Sequence, residues 1–223
     1  IAGGGPVGLY ASALLSRARV PNLILDKQRQ PSRHPRAHLI NTRSVELLRH
    51  LGLQKQVENL APPREQWEHF RYCTSLLGQQ IAAVHHMATD EWSALRALSP
   101  VALTHVSQPG LEALLRVEAE RSAVAAGSSL LRAHELVGFE RRADERGGGV
   151  VASVRAASGE EFQIEAAALV GCDGAHSFVR RHLDVPLDGP PPLQHFVSVH
   201  FRAPGLAPRP PRQSPAMLYV VFH

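Results

Sequence analysis

Gly3, Gly5 and Gly8 stand at the spacing G-x-G-x-x-G within IAGGGPVGLYASALLSRARVPNLILDKQ, and this is the stretch with the clearest chemistry. Such a turn suits a pyrophosphate: the first glycine allows a tight exit from a strand, the second lets the backbone approach the ligand, and the third lets helix and strand pack closely. The anion then rests on a helix N-terminus, where unpaired N–H groups and the helix dipole favour negative charge. Asp26 follows at about the distance, roughly 20 residues, at which a carboxylate accepts hydrogen bonds from ribose hydroxyls. The plainer alternative is a glycine-rich loop capping some other helix, but strand, glycines, helix, strand and acid occur here together. Three more polar residues stand at junctions between elements. Arg36 lies in an irregular stretch before a helix and could hold a phosphate bidentately. Gln108 sits between a strand and a helix, either donating to a ligand or capping that helix. Asp173 opens an Asp-Gly pair after an apolar run, where it can both cap a helix and meet a ligand.

Elements must position these groups. Val7, Ala11, Leu14, Leu15 and Ala18 recur at helical spacing, so a helix follows the glycines, and residues 22–25 read as a short buried strand ending at Asp26. Asn41 or Thr42 can cap a helix carrying Val45, Leu47, Leu48 and Leu51, with Gly52 at its stop. Residues 53–100 are less legible, with strand-like pieces at 68–74 and 81–84. His85 and His86 are neighbours in the chain and cannot share a helix face as a ligand pair, so they read as surface or hydrogen-bonded histidines. Residues 104–106 form a short strand, Ser107 a cap, and Leu111, Leu114, Leu115 and Val117 the apolar surface of a helix reaching Gly127. From Ser129 the period becomes that of antiparallel strands: SLLRAHELVGFERR, VVASVRA and EFQIE. AALVGC is apolar throughout, which predicts a central parallel strand covered on both faces, its carboxyl end on the same rim as Gly3 to Gly8. A helix over 177–183 follows. Nine of the 17 prolines fall between Pro186 and Pro215, yet HFVSVHF and MLYVVF interrupt them, so a second sheet is expected there and not a linker.

Composition excludes several classes. Two cysteines, Cys73 and Cys172, among 223 residues argue against a disulfide scaffold or a multi-cysteine metal site and suit a reducing compartment, hence a cytoplasmic protein. The net charge of +4 comes from arginines scattered among acids, which does not describe a nucleic-acid surface. No run is long enough to span a membrane. Only Ile1 and Ala2 precede the first fingerprint glycine, and the chain stops inside an apolar run, so a fragment of a longer protein is expected.

Four stretches, GGGPVG at 3–8, PRAHLINTRSVELLRHLGL at 35–53, SQPGLEALLR at 107–116 and GCDGAHSFVRRHL at 171–183, resemble the FAD-dependent aromatic hydroxylases, the class A flavoprotein monooxygenases, in family order along nearly the whole chain. The resemblance implies an α/β fold: a Rossmann-like FAD-binding domain over 1–185 with inserted antiparallel strands, and the start of a substrate-domain sheet over 186–223, some of whose strands fall within 68–100. It implies that Gly3, Gly5, Pro6 and Gly8 hold the FAD pyrophosphate, and that Asp26 with Lys27 holds the ribose of the AMP half. Arg36 and Gln108 would serve the phosphate-to-ribityl region, and Asp173 with Gly174 would contact FAD near the NAD(P)H path. The family usually has Glu where this chain has Asp26, so the ribose contact should be weaker or water-mediated. In such enzymes NAD(P)H reduces the flavin and dioxygen supplies the oxygen atom placed on a small phenolic or polycyclic ring. The cofactor carries the hard chemistry, and no catalytic acid, base or metal ligand is assigned. The family closes its FAD site with a second Gly-Asp segment farther downstream, so this chain alone should bind FAD poorly and expose apolar sheet surface. A related flavoprotein of the same fold, a halogenase or prenyl-lipid reductase, or a non-catalytic remnant, are the alternatives.

Overall fold

The computed structural model describes residues 1–31, 37–76, 78–85, 94, 96–143, 148–190, 194–202 and 216–222. Contacts divide the chain into two compact units: Ile1–Pro35 with Gln108–Phe196, and Arg36–Ser107 with Val197–His223. The units therefore interleave along the chain; the sequence reading drew its break at 185 but also expected some strands of the second domain within 68–100.

In the first unit, helix α1 (Pro6–Arg17) leads to strand β1 (Leu23–Asp26), helix α4 (Gln108–Ala126) to strand β6 (Ser129–Arg132), and three strands follow, β7 (His134–Arg142), β8 (Gly149–Ala156) and β9 (Glu161–Ala166). A short helix, α5 (Phe178–His182), closes the series. β6 pairs in parallel with β1, Ala2 bridges in parallel to Leu25 of β1, and on its other side Ala2 bridges in parallel to Gly171. The opening residues are thus the middle of a parallel ladder. Adjacent residues of a strand point to opposite faces. Leu25 joins an apolar cluster with Ala2, Leu136, Ala152, Val154 and Val179, beneath the antiparallel sheet β7-β8-β9. Ile24, on the other face, borders with Leu9, Ala119 and Ala123 a small cavity of about 230 Å³ between the sheet and helices α1 and α4. The result is helices, parallel ladder and antiparallel sheet in three layers, an α/β arrangement.

Both long helices bury a face other than the one their aliphatic residues suggest. α1 buries Gly8, Leu9, Ser12, Ala13 and Ser16, while Val7 is 67% exposed. Serines go inside because they are satisfied there: Ser12 donates to Asn22 Oδ1 (2.6 Å), the Ser16 and Ser128 hydroxyls are 3.0 Å apart, and Asn22 Nδ2 donates to both Ser16 and Ser128. Likewise α4 buries Glu112 and Glu118 beside Leu115 and Ala119, and Val117 faces out at 65% exposure. The run into Cys172 also differs from expectation. Leu169 packs against the apolar cluster, but Val170 is 42% exposed and the ladder reaches this run only from Ala2. It is an edge within the described residues, not a covered central strand.

In the second unit β2 (Leu39–Ile40) pairs antiparallel with β5 (Thr104–His105), and β3 (His69–Cys73) lies between β4 (Gln80–His85) and β10 (Leu218–Val221). Helix α2 (Thr42–His50) is capped by Asn41, whose side chain accepts the Ser44 N–H at 2.8 Å. It stops at Gly52, whose φ of +71° suits the left-handed position that ends helices. Helix α3 (Gln54–Leu60), invisible in the sequence reading, buries only Val57. MLYVVF does supply a strand, β10. HFVSVHF does not: residues 195–201 make no strand, and Phe196 and Val197 are 81% and 91% exposed, because no neighbouring strand among the described residues accepts them. No helix among the described residues is long and apolar enough to cross a membrane.

Candidate functional site

Three parallel neighbours end side by side. Ala2 runs into Gly3, β1 ends at Asp26, and the third segment runs from Gly171 into Cys172 and Asp173. The turn between Ala2 and α1 is fastened from both flanks: Gly3 N–H donates to Leu25 O at 2.8 Å, and Cys172 N–H donates to Ala2 O at 2.7 Å. Ligands of open α/β sheets bind where strands end in this way.

Each glycine of the turn has its own reason. Gly3 has φ +110°, and a Cβ there would lie 2.4 Å from Cys172 O. At Gly8 a Cβ would lie 1.9 Å from Gly3 O, so helix and turn touch backbone to backbone. A Cβ on Gly4 would lie 2.6 Å from Asp26 Oδ2, which makes this glycine, absent from the fingerprint reading, the one that lets Asp26 stand against the turn. Gly5 is different, for a Cβ there would meet nothing within 4 Å. Space is therefore open over Gly5, and it is the N-cap of α1, with no side-chain cap, no acid in the first turn, and Pro6 in the opening position. That combination fits a pyrophosphate: free N–H groups, an approachable backbone and no competing carboxylate. Proline suits the start because its missing N–H would have had no helical partner.

Asp26 accepts the Gln28 N–H on Oδ1 (3.0 Å) and Arg132 Nη1 on Oδ2 (3.3 Å). An ionised carboxylate has about four acceptor positions, so two are left for ribose hydroxyls. Arg132 escaped the sequence reading because its place depends on pairing: it is the residue in register with Asp26 across β1 and β6. Lys27 is exposed beside Asp26. Gln108 begins α4, and its amide donates to the buried Glu112 at 2.7 Å. No contact among the described residues joins its side chain to the glycine turn. Arg36 lies outside the described residues.

Asp173 meets the turn through the backbone, its Cα being 3.0 Å from where a Cβ on Gly3 would sit. Its carboxylate faces α5, accepting from the Ser177 hydroxyl (2.5 Å) and from the N–H groups of Phe178 (2.6 Å) and Val179 (3.1 Å). Ser177, the N-cap, accepts from Arg180 N–H. Gly174 follows with φ +83°, which glycine adopts without strain. Burial pushes the Asp173 carboxyl up, but the hydrogen bonds from Ser177 and the backbone N–H groups outweigh it and hold the group below the ordinary aspartate range. A depressed folded-state pKa stabilises above the unfolded value of about 3.9 and is lost as pH falls through the folded value. Asp173→Ala is therefore expected to cost about 1 kcal/mol at neutral pH. The gap should narrow when denaturant midpoints are measured again at a pH below that unfolded value. An equal gap at both pH values would contradict this role. Burial likewise pushes the Cys172 thiol up, so it stays protonated and serves packing against Gly8.

Comparison with known proteins agrees with this geometry. Residues 1–221 match the model of the FAD binding domain family. The chain is 33% identical over 192 residues to a 2,4-dichlorophenol 6-monooxygenase of Cupriavidus pinatubonensis, covering 85% of this chain and 31% of that protein. Among solved structures, the flavin-dependent monooxygenase PieE in complex with FAD and substrate superposes with a TM-score of 0.77 at 33% identity, over 85% of this chain and 32% of that one. Aklavinone-11 hydroxylase, solved with FAD and aklavinone, gives 0.70 at 28%, over 82% and 34%. The chain thus spans about a third of the length of the relatives it matches. With a glycine turn left open over Gly5, an acid closing the next strand and an Asp-Gly loop beside the turn, the chain belongs to the FAD binding domain family.

Proposed function

We propose that this chain is the cofactor-binding part of an FAD-dependent monooxygenase of the cytoplasm that hydroxylates a phenolic or polycyclic aromatic ring with NAD(P)H and dioxygen. Bound FAD would supply the redox chemistry that links NAD(P)H to dioxygen. The chain's own residues bind and orient. Gly3, Gly5, Pro6 and Gly8 present the backbone and helix terminus to the pyrophosphate. Asp26 receives ribose hydroxyls, with Lys27 and Arg132 balancing its charge. Gln108 serves the ribityl side, as does Arg36, and Asp173 with Gly174 borders the flavin end, its carboxylate keeping α5 in place behind the loop.

The observation that carries this reading is the open space over Gly5 at an uncapped helix start, between Asp26 and the Asp173 loop. The aromatic substrate is supported by the names of the relatives, which act on chlorophenol and are solved with aklavinone. Both cysteines are free thiols, in keeping with a reducing compartment. The test is direct. Purified parent protein containing this chain is expected to be yellow, and its oxidation of NAD(P)H to be stimulated by a phenol. NAD(P)H consumption indifferent to every aromatic compound offered would overturn the hydroxylase assignment.

A further inference from the structure

In the second unit, β3 and β4 pair so that His69 stands directly opposite His85 across the antiparallel ladder. Their rings meet edge to face with centroids 4.8 Å apart. Glu68, one residue before β3, reaches both, with Oε1 3.9 Å from His69 Nδ1 and Oε2 3.6 Å from His85 Nε2. One ligand atom from each of the three lies within 4.8 Å of the others. The sequence reading set His85 against His86, its chain neighbour, and saw no ligand pair. The partner is His69, which only strand register reveals.

We propose that Glu68, His69 and His85 form a site for a divalent transition ion of the Zn²⁺ class. Two imidazole nitrogens and one carboxylate oxygen are a donor set that zinc accepts, with a fourth position for water. Ligand distances of about 2.0–2.2 Å place donor atoms roughly 3.3 Å apart around a tetrahedral ion. The three side chains therefore have to draw in by about an ångström, which small rotamer adjustments supply. They are accessible to an incoming ion, with side-chain exposures of 23% for Glu68, 29% for His69 and 37% for His85. The competitor is internal: Arg64 Nε stands 3.4 Å from Glu68 Oε2 and must yield when the ion binds.

The position gives the ion a purpose. Among the described residues β4 is the outer strand of its sheet and all six of its residues are exposed, so little packing holds it to β3. The chain turn joins the two strands at the far end, after Cys73. An ion gripped by the first residue of β3 and the last of β4 clips the open end and fixes the register of an edge strand.

Titration of metal-free protein with zinc chloride tests this, read by calorimetry and by the ring signals of the histidines in NMR. The first equivalent is expected to shift the rings of His69 and His85. His69→Ala and His85→Ala should each weaken binding by about tenfold or more, and Arg64→Ala should tighten it, a gain that misfolding cannot mimic. Unmoved ring signals of His69 and His85 at one equivalent, or one affinity shared by wild type and all three variants, would overturn the site. Flavin plays no part in this measurement, so its result is independent of the hydroxylase assignment.

Discussion

Protein carrying Gly8→Val is expected to emerge without flavin and with a lowered melting temperature. A Cβ at residue 8 would lie 1.9 Å from Gly3 O, far inside contact distance. Gly3 cannot retreat, since its N–H is bonded to Leu25 O and its neighbour Ala2 is tied to Val170 and Cys172. α1 must therefore back away from the ladder. That separates Leu9 and Ala13, both fully buried, from their neighbours and strains the hydrogen bonds joining Ser12, Ser16, Asn22 and Ser128. Inserting atoms into a packed site costs about 1–3 kcal/mol where side chains can adjust, and here the obstacle is backbone, so the upper end is expected. Gly5→Ala makes the informative contrast. Gly5 has φ −78° and open space, so alanine leaves the melting temperature near wild type while blocking the approach of the pyrophosphate. Flavin released on denaturation and weighed against protein reads both variants, and Asp173→Ala should lose less of it than Gly8→Val. Equal flavin in wild type and Gly8→Val would refute the role of the turn.

The second large effect lies away from the site. Glu118→Ala is expected to destabilise the first unit by about 2 kcal/mol, or roughly 4–8 °C in Tm for a chain of this size. The Glu118 side chain is only 5% exposed and joins α4 to α1. Arg17 donates to it through Nε (2.9 Å) and Nη2 (2.6 Å), Arg121 through Nε (3.0 Å) and Nη2 (2.9 Å), and the Ser122 hydroxyl at 3.0 Å. Arg17 is itself a third exposed, so solvent screens part of the attraction and the loss falls below the roughly 3–5 kcal/mol of a fully buried broken pair. Burial pushes the Glu118 carboxyl up, yet the bonds from Arg17, Ser122 and Arg121 prevail and hold it below the ordinary glutamate range. Its contribution is therefore fully present above the unfolded value of about 4.3 and lost as pH falls through the depressed folded value. A variant melting within a degree of wild type would show that the α1–α4 contact does not depend on this carboxylate.

What the sequence disclosed and what it hid divide along a physical line. Gly3, Gly5, Gly8, Asn41 and Gly52 act through local backbone geometry, which a short window of residues dictates, and the structure shows each in the local position read for it. The helix following the glycines and the antiparallel strands β7, β8 and β9 were legible for the same reason, whereas SLLR, read together with them, is the strand β6 that pairs in parallel with β1. The faces of α1 and α4 were not legible. Ser12, Ser16 and Glu118 are buried because residues outside their own helix satisfy them, and such partners leave no periodic trace, while Glu112 is held by Gln108 one turn before it. Arg132 beside Asp26, and His69 beside His85, were hidden similarly, since each pairing is a matter of strand register. Gly4 was passed over because its reason is the Asp26 side chain, not the ligand. HFVSVHF alternates as a strand should, but alternation supplies no neighbouring ladder.

One consequence of the parallel ladder concerns time. Ala2 has Leu25 on one side and Gly171 on the other, so during synthesis it gains its first neighbour soon and waits for a stretch made well over a hundred residues later before its second exists. At synthesis rates of about 5–20 residues per second the delay is on the order of ten seconds or more. Throughout it the growing chain carries a half-made ladder at Ala2, and a chaperone that shields such a segment would find its longest opportunity here.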